Sequence, residues 1–517
     1  MSHDLDLDVA VMGGGLAGNL LARHLRRAVP ELSSGIVERD PDTSWKVGES
    51  SVEIASAYFT RRLGLSRYLY ENQLPKNGLR FFFDRPEKDG DLEELSEMGS
   101  VALPYLPAFQ LDRARFEADL RRMNADAGVP THIGRVQDLQ LDGAAGHTFQ
   151  IASKDGPARA VRARWVVDAA GRSGLIARPL KLWEPQKHLI SAVWGRFENV
   201  VDIDDLGGPA FRNRVKGTSR HLSTTHFCYP GYWIWFIPLS RGVVSVGVVM
   251  RREQFDDAWR KEEGFLAFLK GHRSTAQLLE GARLLDVGSY KQLAYDTKQF
   301  FGERWATVGE AGAFSDPFYS PGSDFIAFEN DFTVDLIRRE ARGEPPEEIA
   351  KQRARYDAFM RFRQEATMLV YQDLYGTLGS FELYQLKWDF DIACYYNLWL
   401  EPFLRGDHLQ AEWLDTQLRQ KPLVLGVLQR FSKLFQEVQA HLLERGELAR
   451  GNIGRFKGEF PLMRAAEQLG SDASAAAVME RTNEAFESVR TRALGLLGRD
   501  PGEPWTLRHH LAGRAMT

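Results

Sequence analysis

The chain has 517 residues, and at roughly 100–200 residues per domain this length allows about three domains. Hydrophobic residues make up 44% and charged residues 26%, which excludes a disordered tail and a disulfide mini-scaffold. The 66 Lys and Arg against 70 Asp and Glu leave a formal charge of −4, which predicts no surface for nucleic acid.

The sequence also lacks the patterns of a disulfide framework, a metal site, a signal peptide and a membrane span. Cys228 and Cys394 lie far apart, so neither a disulfide framework nor a cysteine zinc site is indicated. The 12 histidines show no facial cluster of two His and one carboxylate, and we expect no metal. The N-terminal residues have no signal-peptide pattern, and no run of 18 apolar residues occurs. We expect a cytoplasmic protein that does not enter a membrane.

The first residues predict a βαβ unit in the order strand, glycine turn, helix, strand: Leu7–Met12, Gly13–Gly18, Asn19–Ala28 and Gly35–Val37. Glycines at 13, 15 and 18 let a pyrophosphate approach the helix N-terminus. Glu38 ends the second strand, where a carboxylate takes ribose hydroxyls. This unit predicts dinucleotide binding.

The later segments predict an α/β protein with three parts. A discontinuous nucleotide-binding domain takes residues 1–75, 110–180 and 285–340, and a β-sheet substrate domain takes 76–109 and 181–284. An α-helical C-terminal region, 341–517, contains long amphipathic helices at Pro345–Gly376 and Pro422–Glu444, the second opened by Pro422. Beyond Ala327, strand signals nearly vanish.

Two further turns identify the nucleotide. Asp168–Gly171 and Gly309–Gly312 each follow a predicted strand and, with the first glycine turn, resemble the FAD fingerprints of glutathione-reductase-like flavoproteins of the hydroxybenzoate hydroxylase branch. This resemblance implies a Rossmann-like FAD-binding domain. The family usually has Asp at the position of Glu310. No second glycine fingerprint for NAD(P)H occurs, so we expect a separate flavin reductase to supply FADH2.

Three stretches resemble the signatures of flavin-dependent halogenases over about residues 5–340. Trp233–Pro238 matches Trp-x-Trp-x-Ile-Pro, Phe314–Gly322 matches Phe-x-x-Pro-x-x-Ser-x-Gly, and Val47–Ser51 resembles the family's Gly-Glu-Ser/Ala segment. Lys76 falls where the family keeps its catalytic lysine. The resemblance implies that FADH2 and O2 form a flavin hydroperoxide, which chloride or bromide attacks to give hypohalous acid that is delivered to Lys76.

The resemblance also assigns individual residues. The catalytic set is Lys76, Glu49, Trp233 and Trp235. Backbone N–H groups of Gly322 and Ser323 are expected to hold the halide. The residues expected to bind FAD are Gly13, Gly15, Ala17, Gly18, Glu38, Arg39, Ser50, Arg113, Asp168, Gly171, Gly309, Glu310 and Pro317.

Some of these residues have two readings from the sequence alone. Lys76 is either a solvated turn residue or a buried amine carried inward by the apolar strand Leu79–Phe83. Trp233 and Trp235 share one face of a strand and are either core or a wall between flavin and substrate. Glu49 either couples the flavin state to the halide site or is a structural carboxylate.

Two departures from the family pattern concern the halide site and the class of substrate. Pro321 has no N–H to give to a halide. Tyr319 stands where tryptophan halogenases carry Glu, which assists an unactivated indole. We therefore expect an electron-rich substrate, a phenol or pyrrole, either free or tethered to a carrier protein, in the biosynthesis of antibiotics or other secondary metabolites.

The sequence is also compatible with two other functions. A flavin-dependent aromatic hydroxylase would use the same scaffold, and a flavin-binding partner protein without catalysis would keep FAD alone. The aromatic-rich segment Phe381–Phe403 is either core packed on two sides or a lining of the substrate pocket or carrier docking site.

Overall fold

The computed structural model describes residues 3–153, 156–459 and 475–507. Within these ranges the strands are β1 (Leu5–Met12), β2 (Ser34–Glu38), β3 (Leu74–Pro75), β4 (Leu79–Phe83), β5 (Ser96–Ser100), β6 (Phe109–Gln110), β7 (Thr131–Ile133), β8 (Arg135–Gln140), β9 (His147–Ala152), β10 (Arg159–Asp168), β11 (Trp183–Pro185), β12 (Ile190–Glu198), β13 (Thr224–Tyr229), β14 (Tyr232–Pro238), β15 (Val243–Arg251), β16 (Arg283–Tyr290), β17 (Tyr295–Thr297), β18 (Phe301–Gly302), β19 (Trp305–Thr307) and β20 (Phe456–Glu459).

The α-helices are α1 (Leu16–Ala28), α2 (Glu53–Ala57), α3 (Ser66–Asn72), α4 (Arg113–Asp126), α5 (Pro209–Arg212), α6 (Glu262–Lys270), α7 (Arg273–Leu278), α8 (Gly322–Ala341), α9 (Pro346–Tyr371), α10 (Phe381–Cys394), α11 (Glu401–Arg405), α12 (Ala411–Glu444) and α13 (Ala475–Leu496). Two π-helical segments, Tyr58–Arg62 and Tyr395–Leu400, continue α2 and α10. None of the described helices is long and apolar enough to cross a lipid bilayer.

The first sheet is the nucleotide-binding one. Its strand order is β18-β19-β10-β1-β2-β7, and β1 pairs in parallel with both β10 and β2. The C-terminal half of β1 is fully buried because a parallel sheet is covered on both faces. Helix α1 packs its apolar residues Leu20, Leu21 and Leu25 into the core on one side. The predicted α/β fold is confirmed, and this sheet places the glycine turn at the end of β1.

The second sheet forms the other layer of the site. Its order is β16-β12-β15-β14-β13-β4-β5-β20, and β14 lies antiparallel between β13 and β15. Strand β14 is buried on both faces. Trp233 and Trp235 face a cluster that includes Tyr375 and Trp388, whereas Ile234 and Phe236 face the cluster that contains α6. The two indoles therefore point toward the C-terminal helices.

The C-terminal region differs from the sequence expectation in two places. Strand β20 pairs in parallel with β5, so this region completes the second sheet as well as packing helices on it. Helix α12 begins at Ala411, eleven residues before Pro422, which lies inside it. Buried Leu414 and the ion pair between Arg355 and Asp415 hold the segment before the proline in helical form despite the missing N–H. At the other end, β16 extends the second sheet past residue 284.

Candidate active site

The turn between β1 and α1 requires its glycines. Gly13 has φ +117°, and a Cβ there would lie 2.4 Å from the carbonyl oxygen of Ala169. A Cβ on Gly18 would lie 2.0 Å from the carbonyl oxygen of Gly13. At Gly15 the nearest atoms to such a Cβ are 4.0 Å away, so the space above the helix N-terminus is open. This open space is where a pyrophosphate fits.

Glu38 lies beside this turn. Its Oε2 accepts a hydrogen bond from the N–H of Gly14 at 2.6 Å, and its Oε1 accepts one from the N–H of Asp40 at 3.0 Å. Arg39 is exposed and pairs with Asp40, and Ala17 is buried in the first turn of α1. Glu38 thus ends β2 at the edge of the open space, as a ribose-binding carboxylate requires.

Asp168 is the last residue of β10, and Gly171 lies in the turn that follows it. The two carboxylate oxygens of Asp168 accept backbone N–H groups from Ala170, at 3.0 Å, and Ile176, at 2.8 Å. Burial raises the pKa of Asp168 to about 7. Gly171 has φ +60°, a conformation that favours glycine. The carboxylate of Asp168 therefore shapes the turn, a role that its position at the end of a strand did not reveal.

The last fingerprint lies between β19 and α8. Gly309 has φ +59°, and its N–H donates to Oε2 of the fully buried Glu329, at 2.5 Å. The Glu310 side chain is 41% exposed and lies 3.9 Å from Arg172. Glu329 was not predicted, because its position in the middle of α8 carries no signal of a contact with this turn. The glycine turns and their carboxylates form a cradle whose residues fit FAD.

Two cavities lie next to each other, and one of them adjoins the cradle. The glutamate cavity is lined by Glu49, Ser50, Arg113, Trp233, Trp235, Gly309, Glu310, Pro317, Gly322 and Ser323, among others. The lysine cavity is lined by Lys76, Tyr105, Tyr319, Asp324, Arg363, Trp388, Asp391, Tyr395 and Trp399, among others. Pro321 lines both. The structure thus brings Gly309 and Glu310 of the cradle to one cavity with the predicted halide and tryptophan residues, and Lys76 to the other.

Lys76 is buried, with 1% of its surface exposed. Its Nζ donates to Ser50 Oγ and to the carbonyl oxygen of Ser51, both at 2.8 Å. Ser50 lines the glutamate cavity, so the hydrogen bond from Lys76 joins the walls of the two cavities. Burial lowers the pKa of Lys76 to about 8, although nearby Glu53 and Asp324 act in the opposite direction. Of the two alternatives for Lys76, a solvated turn residue and a buried amine, the structure shows the buried amine.

Glu49 is also buried and forms an ion pair. Its Oε1 accepts hydrogen bonds from Arg196 Nε at 3.0 Å and Nη2 at 2.9 Å. Arg196, on β12, also pairs with Asp286 on β16. Burial raises the pKa of Glu49, and the guanidinium of Arg196 opposes this rise. Arg196 was not predicted, since no local pattern links β12 to the Gly48–Ser51 segment.

The two tryptophans lie on the wall of the glutamate cavity. Their ring centroids are 5.6 Å apart, and the Trp233 indole N–H donates to the Tyr375 hydroxyl at 3.1 Å. The Phe318 ring lies 5.1 Å from Trp233 on one side and 4.8 Å from Tyr319 on the other. Because Tyr319 lines the lysine cavity, the ring contacts from Trp233 through Phe318 to Tyr319 connect the walls of the two cavities.

Gly322 and Ser323 begin helix α8. The first N–H groups of a helix have no partner within it, and the hydrogen bonds here begin with the N–H of Asp324, which reaches the carbonyl oxygen of Pro321. A Cβ on Gly322 would meet no atom within 4 Å, so the space beside its Cα is open. Both residues line the glutamate cavity, and a helix N-terminus there favours an anion.

The aromatic-rich segment Phe381–Phe403 contributes both to the core and to a cavity wall. Trp388, Tyr395, Tyr396 and Trp399 line the lysine cavity. Phe390 packs against Phe431 and Phe486 in the core of the C-terminal helices. Helix α10 already places Trp388 and Phe390 on these two sides, and the π-helical segment Tyr395–Leu400 that follows it adds further rings to the cavity wall.

Comparison with known sequences finds related proteins. A family model described as tryptophan halogenase matches residues 86–357. The flavin-dependent halogenase chlA of Dictyostelium discoideum is 28% identical over 436 residues, which is 78% of this chain and 71% of that protein. The 1H-pyrrole-2-carbonyl-(peptidyl-carrier protein) brominase of Pseudoalteromonas luteoviolacea (strain 2ta16) is 25% identical over 354 residues, 66% of this chain and 80% of that protein.

Solved structures share the fold. Halogenase PltM in complex with phloroglucinol and FAD has a TM-score of 0.69 and 15% identity, and the match covers 94% of this chain and 99% of PltM. The flavin-dependent brominase Bmp2 has a TM-score of 0.58 and 20% identity, over 85% of this chain and 100% of Bmp2. At these identities the structural likeness establishes the architecture.

Proposed function

Since the chain belongs to the tryptophan halogenase family of flavin-dependent enzymes, we propose that it chlorinates or brominates an electron-rich aromatic ring, a phenol or a pyrrole. The observation that carries this proposal is Lys76. It is a fully buried amine on an aromatic-lined cavity, and it is hydrogen-bonded to Ser50 on the wall of the cavity beside the FAD cradle. Among the described residues, no carboxylate lies within hydrogen-bonding distance of the Lys76 ammonium.

FAD, when bound in its reduced form, supplies with O2 the oxidising equivalent that converts a halide into hypohalous acid. The chain's own part begins with the glycine turn and Glu38, which hold the dinucleotide, and with Arg113, which donates to the carbonyl oxygen of Val47 beside the cavity. A separate flavin reductase supplies the reduced cofactor, because the sequence contains no second dinucleotide fingerprint.

The halide is held by the N–H groups of Gly322 and Ser323 in the glutamate cavity. Pro321 contributes no N–H, so the anion depends on the first turn of α8 and its dipole. Glu49, which lines the same cavity, keeps the buried Arg196 paired. This pairing neutralises a buried guanidinium that would otherwise attract the halide.

Lys76 receives the hypohalous acid and presents it to the ring. With a pKa of about 8, roughly one molecule in ten carries a neutral amine at neutral pH, and the protonated form donates hydrogen bonds. The layer of Trp233 and Phe318 keeps the organic substrate out of the glutamate cavity while a small oxidant passes by Ser50. The ring position attacked is then set by how the substrate lies against Lys76.

The substrate class rests on the lining of the lysine cavity and on the relatives. Rings of Trp388, Tyr395 and Trp399 provide faces for a planar aromatic. PltM has been crystallised with a phenol, phloroglucinol, and one relative acts on a pyrrole carried by a protein. Both free and carrier-loaded phenols and pyrroles are therefore the substrates to test.

The test is incubation with a flavin reductase, FAD and bromide or chloride, followed by mass spectrometry of each substrate. We expect a halogen isotope pattern at one ring position with wild type and none with Lys76→Ala, in which hypohalite formation continues. A gain of one oxygen would instead identify an aromatic hydroxylase. Bound FAD without halide-dependent oxidation would identify a flavin-binding protein that lacks catalysis.

A further inference from the structure

The lysine cavity contains a second group of ionisable side chains, which the proposed function does not use. We infer that Asp391 is the base that takes the hydroxyl proton of a phenolic substrate while Lys76 delivers the halogen. This inference rests on the proposed function and names, within it, a phenol as the substrate and a residue for its activation.

Asp391 lies on α10 and lines the cavity. Its Oδ2 accepts a hydrogen bond from the Tyr319 hydroxyl at 2.7 Å and one from the ammonium of Lys387, one helical turn away. The Tyr319 hydroxyl is also within 3.1 Å of the Tyr384 hydroxyl. Tyr319 and Lys387 both donate to Oδ2, and Tyr384 contacts the Tyr319 hydroxyl, so the carboxylate is fixed in position.

The other oxygen of this carboxylate is available. Oδ1 of Asp391 accepts no hydrogen bond from any residue in the described part of the chain, and it is not among the fully covered unpaired atoms. Asp324 differs in this respect, because its Oδ1 accepts the N–H of Ala55 and its Oδ2 is fully covered. Glu53 accepts a bond from Tyr396 on Oε1 and also lines a second, neighbouring cavity.

The surroundings suit a base. Burial raises the pKa of Asp391, which makes the carboxylate a stronger proton acceptor, and the ammonium of Lys387 opposes this rise. A phenol is activated toward electrophiles when its oxygen loses a proton, and a positioned base contributes about 10²- to 10⁴-fold to such a step. Tyr319 supplies no carboxylate itself but holds one that comes from α10.

The step balances as follows for a phenol and hypohalous acid. The O–H proton moves to Asp391 Oδ1 as a ring carbon forms its bond to the halogen and the O–halogen bond breaks. The released hydroxide takes a proton from the ammonium of Lys76 and becomes water. The ring C–H proton then moves to the Lys76 amine, and Asp391 returns its proton to the substrate oxygen.

The experiment compares wild type with Asp391→Asn on phloroglucinol and on its trimethyl ether, 1,3,5-trimethoxybenzene, which has no O–H proton to lose. Steady-state halogenation and hypohalite formation, measured with a free trap, are recorded for each. We expect kcat with phloroglucinol to fall about 100-fold or more, with hypohalite formation kept and the rate on the ether changed less than about threefold. Tyr319→Phe, which keeps the carboxylate but removes one of the two hydrogen bonds that position it, should lose less activity than Asp391→Asn.

Asp391→Asn leaves the buried Lys387 without its partner, so the double variant Asp391→Asn/Lys387→Met provides a second test in which both charges are absent. The proposal is overturned if kcat with phloroglucinol stays within about threefold of wild type, or if both substrates lose activity equally in the double variant. A wild type that forms no hypohalite refutes the proposed function itself, whereas hypohalite with an unaffected Asp391→Asn refutes only the role of this base.

Discussion

Replacing Lys76 with methionine tests the chemistry and the electrostatics of the site in one variant. Methionine is close to lysine in length and carries no charge, so it fills the same space. Halogenation should disappear, since no amine remains to hold hypohalous acid. The stability of the variant relative to wild type should also change with pH in a defined direction.

The magnitude follows from the buried ammonium. Burial lowers the pKa of Lys76 from 10.5 to about 8, a shift that corresponds to about 3 kcal/mol of folding free energy. The folded state binds the proton less tightly than the unfolded state, so this destabilisation is fully present below pH 8 and vanishes above pH 10.5. Methionine removes it but leaves the carbonyl oxygen of Ser51 without its donor, which costs about 1–3 kcal/mol at every pH.

The two effects nearly cancel near neutral pH, where the variant should match wild type within about 2 kcal/mol. As pH rises from 8 to 10.5, wild type should gain about 3 kcal/mol relative to the variant. Urea unfolding of both proteins across this range measures the difference, with Lys298→Met, at an exposed lysine, as the control. A difference that does not change with pH, or one that changes in the opposite direction, would refute the buried ammonium.

Three further substitutions test the glutamate cavity. Glu49→Ala should lower the free energy of unfolding by about 3 kcal/mol or more, measured with urea, because Arg196 is left buried with its main partner gone; a change below about 1 kcal/mol would contradict this. Gly322→Ala should leave folding and FAD binding intact, since the added Cβ meets no atom within 4 Å, but raise KM for halide severalfold in steady-state assays. Gly247→Ala places a Cβ 2.4 Å from the Trp235 ring, so we expect about 1–3 kcal/mol of destabilisation and weaker FAD binding by flavin fluorescence titration.

Local patterns were sufficient for the parts of the site that lie within one short segment. The glycine turn after β1 was predictable because a Cβ on Gly18 would meet the carbonyl oxygen of Gly13, which belongs to the same turn. The shared face of Trp233 and Trp235 followed from the period of a strand. In each case the residues that determine the geometry are neighbours in sequence or belong to one repeating motif.

Contacts between distant parts of the chain determine the features of the site that sequence patterns could not predict. Lys76 is buried because its N–H bonds the carbonyl oxygen of Ala108 and its ammonium reaches Ser50 and Ser51, contacts that no periodicity encodes. Arg196 reaches Glu49 across 147 positions of the chain. Asp391 reaches Tyr319 from a helix whose aromatic content looked like core. The polar partners of a site come from distant elements, since each must be buried and paired at once.

Pro321 lies at the boundary between the glutamate cavity and the lysine cavity. The residue lines both cavities, and as the N-cap of α8 it lies next to the first helical N–H groups. A residue with an N–H at this position would add a donor for halide, whereas proline places an apolar ring at the boundary instead. In the proposed mechanism, hypohalous acid formed beside Gly322 meets an apolar surface on this side, and the Ser50 hydroxyl and the ammonium of Lys76 offer it a polar route to the substrate. We therefore propose that the departure from the family pattern at Pro321 directs the oxidant toward the lysine.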